Sequence, residues 1–237
     1  MLKKILAFWM ALALLATLVA CENTPNEGLT TPGDPTAGLE DPAPELVKSG
    51  EILDCELDWE LYTDGTLYVK GTGPMSEFEV NSGVSTRQPW QEYIANNSGY
   101  TIKKVVVEDG VTSLSEGAFQ GCINLESVEI ASSVTVLPYK CFDRCALLRT
   151  IRAKGVVEVQ SDAFCACAKL TTVTLSASLQ VVEDGAFLET AAQSTLAVRL
   201  AGNAEEWAAA QASEGFYMGE GNDVFEAALS NVRFVGK

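Results

Sequence analysis

A pattern of apolar positions repeats every 22 or 23 residues in the second half of the chain. Four stretches align on a phenylalanine, and valine or leucine lies eight and five residues before each one. In the first three stretches a leucine follows six residues after the phenylalanine, and valine or isoleucine follows nine residues after it. Apolar residues held in register at a fixed period indicate stacked units that share one core. The aligned residues are Phe119, Phe142, Phe164 and Phe187.

Each unit divides into two parts with different periodicity. The Leu-x-x-Val-x-Ile stretch predicts a strand, and the (Ala/Cys)-Phe-x-x-Cys stretch predicts a short helical turn. An upstream half-copy, Ile102 to Val107, fits the same spacing, so we predict repeats over residues 101–201. Residues between the buried strand positions point to the opposite face of the sheet, where we predict a ligand-facing surface. Its residues are Lys104, Val106, Ser127, Glu129, Thr150, Arg152, Thr172, Thr174 and, if the last register is right, Arg199.

These motifs, with the lead-in VEDGVTSL at 107–114, closely resemble the BspA-like leucine-rich repeat family of bacterial surface proteins. The resemblance covers roughly residues 100–200. It implies a leucine-rich repeat solenoid, a right-handed α/β fold rich in β-structure with 22–23-residue repeats and short helical turns. Two departures are Ala153, which replaces a larger strand residue, and the last unit, which lacks the repeat cysteine.

The segments on either side of the repeats carry weaker patterns. Apolar and polar residues alternate on both sides of Asp64-Gly65, which predicts a hairpin with strands near 52–62 and 66–71. Residues 49–100 therefore form a small antiparallel β module, which also resembles the module that often precedes BspA-like repeats. Residues 202–237 are predicted to cap the stack with a short helix, Ala204–Ala212, and a final strand in NVRFVG.

The N-terminus has the features of an export signal. A basic start and an apolar run of about 14 residues are followed by Leu-Val-Ala-Cys, which resembles the lipobox of bacterial lipoproteins. We predict a signal peptide over residues 1–20 and lipid attachment at Cys21; the alternative is an ordinary secretory signal with a chance cysteine. Residues 21–48 hold five of the eight prolines and predict a disordered linker. The chain is thus expected to be exported and anchored, at the outer membrane or cell surface.

Charge and composition exclude several functions. Loss of residues 1–20 leaves 14 basic and 32 acidic residues, a balance that argues against nucleic acid as a partner. The chain has no histidine, which excludes Ser-His and Cys-His nucleophiles, and it has no nucleotide-binding glycine motif. Its acidic residues recur in turns such as VEDG, where Asp-Gly supplies turn geometry. We therefore predict no enzyme, no catalytic residue and no cofactor.

The cysteines and the GEGND loop are the remaining candidates for chemistry. Cys122, Cys145 and Cys167 each follow their phenylalanine by three residues, so we predict small buried core residues. A disulfide between Cys141 and Cys165 remains an open alternative because an exported chain meets oxidising conditions. Residues 219–223 lack the full ligand set of a calcium loop and are interpreted as a solvent loop, so no metal is predicted.

By resemblance, the chain is expected to act in binding and adhesion at the cell surface. The predicted partner is a host matrix or bacterial surface protein, with a glycan as a further possibility. Two other functions remain open: an accessory glycan-binding lipoprotein of a surface uptake system, and a structural protein of the envelope.

Overall fold

The structure is a computed structural model that describes residues 42–78, 80–81, 84–85, 88–94, 99–190 and 196–237. The elements below all lie in one compact unit, Ala43–Lys237. The predicted signal peptide, Cys21 and most of the predicted linker lie outside the described residues. Within the described ranges, no helix is long and apolar enough to cross a membrane.

Among the described residues, most of the regular structure is short β-strand, with a single 3₁₀ turn at Gln91–Tyr93 and two short helices. In chain order the strands and helices are β1 Leu46–Glu51, β2 Leu57–Tyr62, β3 Thr66–Gly71, β4 Gly73–Pro74, β5 Val80–Asn81, β6 Val84–Ser85, β7 Lys104–Val107, β8 Val111–Ser113, β9 Ser127–Ile130, β10 Val136–Leu137, β11 Thr150–Ala153, β12 Glu158–Val159, β13 Thr172–Ser176, β14 Val181–Val182, β15 Ala197–Ala201, α1 Ala204–Gln211, β16 Tyr217–Met218, α2 Asp223–Leu229 and β17 Arg233–Val235.

One long sheet forms one wall of the core. Its strand order is β1-β2-β3-β7-β9-β11-β13-β15-β17, antiparallel among the first three strands and parallel from β3 onward. Each repeat contributes one strand, because the apolar alternation buries Val and Ile on one side and leaves the other side open. A second parallel sheet, β10-β12-β14-β16, adds one two-residue strand per unit.

The predicted short helical turns are successive turns closed by hydrogen bonds between residues three apart, such as Phe119 C=O accepting from the Cys122 N–H. The backbone positions two residues before and two after each phenylalanine lie in the left-handed region, where glycine is favoured. These positions are Gly117, Lys140, Asp162 and Gly185 before the ring, and Gly121, Arg144, Ala166 and Glu189 after it. The turned backbone also donates to the next unit, as in the bond from Phe142 N–H to the Ala163 carbonyl.

The repeat phenylalanines stack on one another along the core. Phe119 and Phe142 have ring centroids 5.4 Å apart, and Phe142 and Phe164 are 5.6 Å apart, with nearly parallel planes. Trp90 stacks on Phe119 at 5.4 Å and Phe225 stacks on Phe187 at 4.3 Å, so the stack continues beyond the four aligned residues at both ends. All six rings are buried. The prediction of a phenylalanine core is confirmed and extended.

The front segment differs from its prediction in extent. The first strand begins at Leu46, inside the range assigned to the linker, and residues 52–56 form a turn that precedes β2 rather than the first part of a hairpin strand. The predicted turn at Asp64-Gly65 is present, with Gly65 at a φ of 84°. Because β3 pairs in parallel with β7, the module is continuous with the repeat sheet.

The C-terminal segment contains more than the predicted helix and strand. Helix α1 is capped by the Asn203 side chain, which accepts from two backbone N–H groups of the first turn. Strand β16 then joins the second sheet, helix α2 places Phe225 on the ring stack, and β17 joins the long sheet. Like a regular repeat unit, this segment supplies a strand to each sheet and a ring to the stack, but the distances between these elements along the chain differ from those of the repeats.

Candidate binding face

The predicted ligand-facing residues lie in two rows across the long sheet, which we call the strand face. The first row is Lys104, Ser127, Thr150 and Thr172, and the second is Val106, Glu129, Arg152, Thr174 and Arg199. Each residue is the register partner of its neighbours on the adjoining strands. Parallel pairing without a bulge fixes this order, so the structure brings all nine predicted residues together.

Exposure along the strand face is uneven. Glu129, Thr150, Arg152 and Arg199 are exposed, and the other predicted residues, Lys104, Val106, Ser127 and Thr172, are half-buried. Thr174 is only 7% exposed. Thr174 does lie in the predicted row, between Arg152 and Arg199 in register, but its low exposure leaves little of its surface for a ligand.

Charge changes sign along the second row. The Glu129 carboxylate accepts from the Lys104 ammonium at 3.1 Å, which makes an exposed ion pair across two strands. In the described part of the chain, neither Arg152 nor Arg199 has a carboxylate within ion-pair distance. The face thus has an internally neutralised pair followed by free cations.

Two residues that the sequence reasoning missed extend the same row. Arg233 on β17 is the register partner of Arg199, and Tyr68 on β3 is the partner of Val106. A signal for Arg233 existed, because Val198-Arg199-Leu200 and Val232-Arg233-Phe234 share the same apolar-Arg-apolar order. Tyr68 carried no such signal, since its strand belongs to the antiparallel module.

Two open grooves cross the strand face and share Glu129 and Arg152. One has a volume of about 350 Å³ and is lined by Ser127, Thr150, Thr172, Thr174 and Arg199 among others. The second is about 920 Å³ and lies toward the carboxyl ends of the strands, where Glu108 and Asp109 line one end and Lys154 and Lys237 line the other. The smaller groove is lined by four hydroxyl-bearing residues and also by Val128, Ile151 and Val235.

The repeat cysteines are part of the core. Cys122, Cys145 and Cys167 are buried, and burial raises the pKa of the Cys122 and Cys167 thiols to about 12. The Cys145 thiol donates to the Phe119 carbonyl at 3.2 Å, and the Cys167 thiol donates to the Phe142 carbonyl at 3.1 Å. A neutral thiol that bonds to the preceding unit is a poor nucleophile and a good packing residue.

Cys141 and Cys165 are free thiols in the structure. Cys141 directly precedes its phenylalanine, in the slot that other units fill with alanine, and it is fully buried. Cys165 directly follows its phenylalanine and is half-buried. The two residues therefore occupy different positions of their units.

The recurrent acidic residues hold turns. Glu183 accepts from the Ser161 backbone N–H and hydroxyl, and Asp184 accepts from the Tyr217 hydroxyl and the Glu220 N–H. In the loop at residues 219–223, the Asn222 side chain accepts a hydrogen bond from the Phe187 N–H and donates one to the Glu183 carbonyl. Among the described residues no three Cys, Asp or Glu side chains are grouped as a metal site.

A family model for the BspA type leucine-rich repeat region matches residues 93–199 in six copies. Residues 93–199 belong to the BspA-type leucine-rich repeats. The match begins at Tyr93, so the upstream half-copy at 102–107 lies inside the BspA-type region. No functionally curated protein matches the chain in sequence.

Three solved structures of bacterial leucine-rich repeat proteins are similar to the chain. A leucine-rich repeat protein from Eubacterium ventriosum is 18% identical over 67% of this chain and 45% of its own, with a TM-score of 0.46. The chain thus spans less than half the length of that protein. The T. pallidum leucine-rich repeat protein is 21% identical over 64% of this chain and 72% of its own, with a TM-score of 0.40. A leucine rich cell surface protein from Faecalibacterium prausnitzii is 18% identical over 75% of this chain and 54% of its own, with a TM-score of 0.31.

Proposed function

We propose that this BspA-type repeat protein is a lipid-anchored binding protein of the bacterial cell surface, which attaches the cell to a ligand through the strand face. The observation that carries the proposal is the second row, where Arg152 and Arg199 are exposed and have no ion-pair partner in the described part of the chain. The sheet pairing fixes the backbone positions of this row, which lowers the entropic cost of binding.

The other surfaces of the repeats are occupied by structural roles. The turn side carries the hydrogen bonds that join consecutive units, and the acidic turn residues hold backbone N–H groups. The repeat thiols are buried and neutral, and Glu183 and Asp184 are already hydrogen-bonded, which supports a binding rather than a catalytic role. The lipobox-like sequence ending at Cys21 supports anchoring, and the proline-rich segment after it supports display away from the membrane.

The test is adhesion of cells that carry the full chain. Cells are applied to immobilised matrix proteins, mucus and bacterial surfaces, and we expect adhesion to at least one of them. The face variant Arg152→Gln/Arg199→Gln should lose this adhesion. The control variant Lys140→Asn/Arg144→Asn removes the same charge from the turn side, at left-handed positions that asparagine tolerates, and should adhere normally. Equal adhesion by cells with and without the chain would refute the proposal.

Anchoring is tested separately. Cys21→Ser should abolish labelling of the chain by radioactive palmitate and should release it into the medium. Labelling that persists in this variant would contradict lipid attachment at Cys21.

A further inference from the structure

We infer that the ligand of the strand face is an anionic glycan chain, bound by a row of arginines at the C-terminal end of the long sheet. The inference rests on the proposed function and names the ligand chemistry of the same face. Arg152, Arg199 and Arg233 are exposed and lie in one line of register on β11, β15 and β17, with Thr174 between the first two.

The arginines are free to bind an external anion. The carboxylate nearest to Arg152 in register is Glu129, and Lys104 already binds it. Within the described ranges, none of the three arginines has an ion pair, although the whole chain has a net charge of −16. A local row of cations on an acidic protein concentrates anions at one place. Guanidinium groups bind sulfate and carboxylate groups through paired hydrogen bonds.

The groove between the arginines favours a sugar over a polypeptide. Ser127, Thr150 and Thr172 are among the residues that line it, and each hydroxyl both donates and accepts hydrogen bonds, as sugar hydroxyls require. Anchor residues of protein–protein interfaces are enriched in tryptophan and tyrosine as well as arginine, and they lie in well-packed pockets that exclude water. On the strand face, the described outward positions of β9, β11, β13, β15 and β17 hold no aromatic side chain.

The spacing of the row fits a repeating polyanion. Neighbouring strands lie about 4.8 Å apart, so the backbones of Arg152 and Arg199 are separated by roughly 10 Å and those of Arg199 and Arg233 by roughly 5 Å. A linear chain with a charged group on successive sugars can engage two or three guanidinium groups at once. A single small anion would engage only one.

The experiment measures binding of the full chain, purified in mild detergent, to immobilised heparin, neutral dextran and polyglutamate. We expect binding to heparin that weakens with salt, and no binding to dextran. Arg152→Gln/Arg199→Gln should lower the heparin affinity at least about tenfold, because two charge-assisted contacts are lost. The turn-side control Lys140→Asn/Arg144→Asn should leave the affinity unchanged.

A gain-of-function variant guards against misfolding as an explanation. Glu129→Gln removes the carboxylate from the groove and releases Lys104, so heparin should bind roughly twofold or more tightly. Weaker binding by this variant would count against the arginine row as the site.

The remaining outcomes separate the inference from the proposed function. Polyglutamate bound as tightly as heparin, with the same dependence on the arginines, would assign a polypeptide ligand and overturn the glycan inference. Cell adhesion that survives Arg152→Gln/Arg199→Gln, with no heparin binding, would overturn the inference while a surface-binding role stands through another part of the chain. If the unaltered chain neither binds heparin nor confers adhesion on cells, both the inference and the proposed function are refuted.

Discussion

Removing one ring from the middle of the aromatic stack should destabilise the protein more than removing its last ring. Phe142 is fully buried and stacks on Phe119 and Phe164 at 5.4 and 5.6 Å, whereas Phe225 has one stacked ring among the described residues, that of Phe187. An aromatic pair contributes about 0.5–1.5 kcal/mol beyond the area that it buries. Replacement by leucine keeps most of the buried apolar surface, and its repacking usually costs less than about 1.5 kcal/mol.

Phe142→Leu therefore loses two ring pairs, about 1–3 kcal/mol, and Phe225→Leu loses one, about 0.5–1.5 kcal/mol, each with a similar repacking cost. Urea denaturation followed by far-UV circular dichroism gives the free energy of unfolding of each variant. A double-mutant cycle between Phe142 and Phe164 isolates the pair, and its coupling energy should be about 0.5–1.5 kcal/mol.

The matched control is a cycle between Phe142 and Phe225, whose rings do not touch and should show no coupling. The reasoning is refuted if the adjacent pair is additive, or if Phe225→Leu costs as much as Phe142→Leu. Either result would mean that the rings act only as apolar volume.

Three further predictions concern the backbone and the thiols. Ala166→Gly should stabilise the protein by about 0.5–1 kcal/mol in thermal melts. Alanine at a φ of 57° is strained by about 1–2 kcal/mol, and glycine removes this strain. Part of the gain is lost again, because glycine gives up more conformational entropy on folding than alanine does. Stability should fall as pH rises from 9.0 toward about 12, by about 1.4 kcal/mol per pH unit for each of Cys122 and Cys167, because the unfolded thiols ionise first; urea titrations across this range measure it. Maleimide should modify the half-buried Cys165 in the native protein, whereas the buried thiols should react only after unfolding, as mass spectrometry would show.

Each of these has a contradicting result. Ala163→Gly, at a buried alanine outside the left-handed positions, should destabilise, and a matching gain there would remove the backbone explanation. The alkaline loss should become shallower in Cys122→Ala/Cys167→Ala, and an unchanged slope would place the titration elsewhere. Native-state labelling of Cys145 would contradict its burial.

The apolar period allowed the repeat region to be predicted nearly in full. Phe119 to Phe187 are regularly spaced, and each unit must bury the same side chains, so register, strand placement and the thiol slot follow from local sequence alone. The ends could not be predicted in this way. Trp90 lies 29 residues before Phe119, and Phe225 lies 38 residues after Phe187, so neither matches the period.

The strand face was predicted as a set of positions, but its chemistry depends on distant contacts. Alternation along each strand placed Arg152 and Arg199 outward, and the structure confirms both. That Lys104 would bind Glu129 and leave the arginines free depends on side-chain reach across strands, which no pattern encodes.

By itself, the sequence determined which residues of each unit are buried. Every unit has to bury apolar side chains at the same positions of the stack, so those positions recur at a fixed spacing along the chain. Only the tertiary structure decided which segments outside that period join the stack, and how its surface is charged. Helix α2 completes the ring stack and β17 extends the arginine row because stacking and sheet pairing act between neighbours in space. Such contacts leave no regular spacing along the chain.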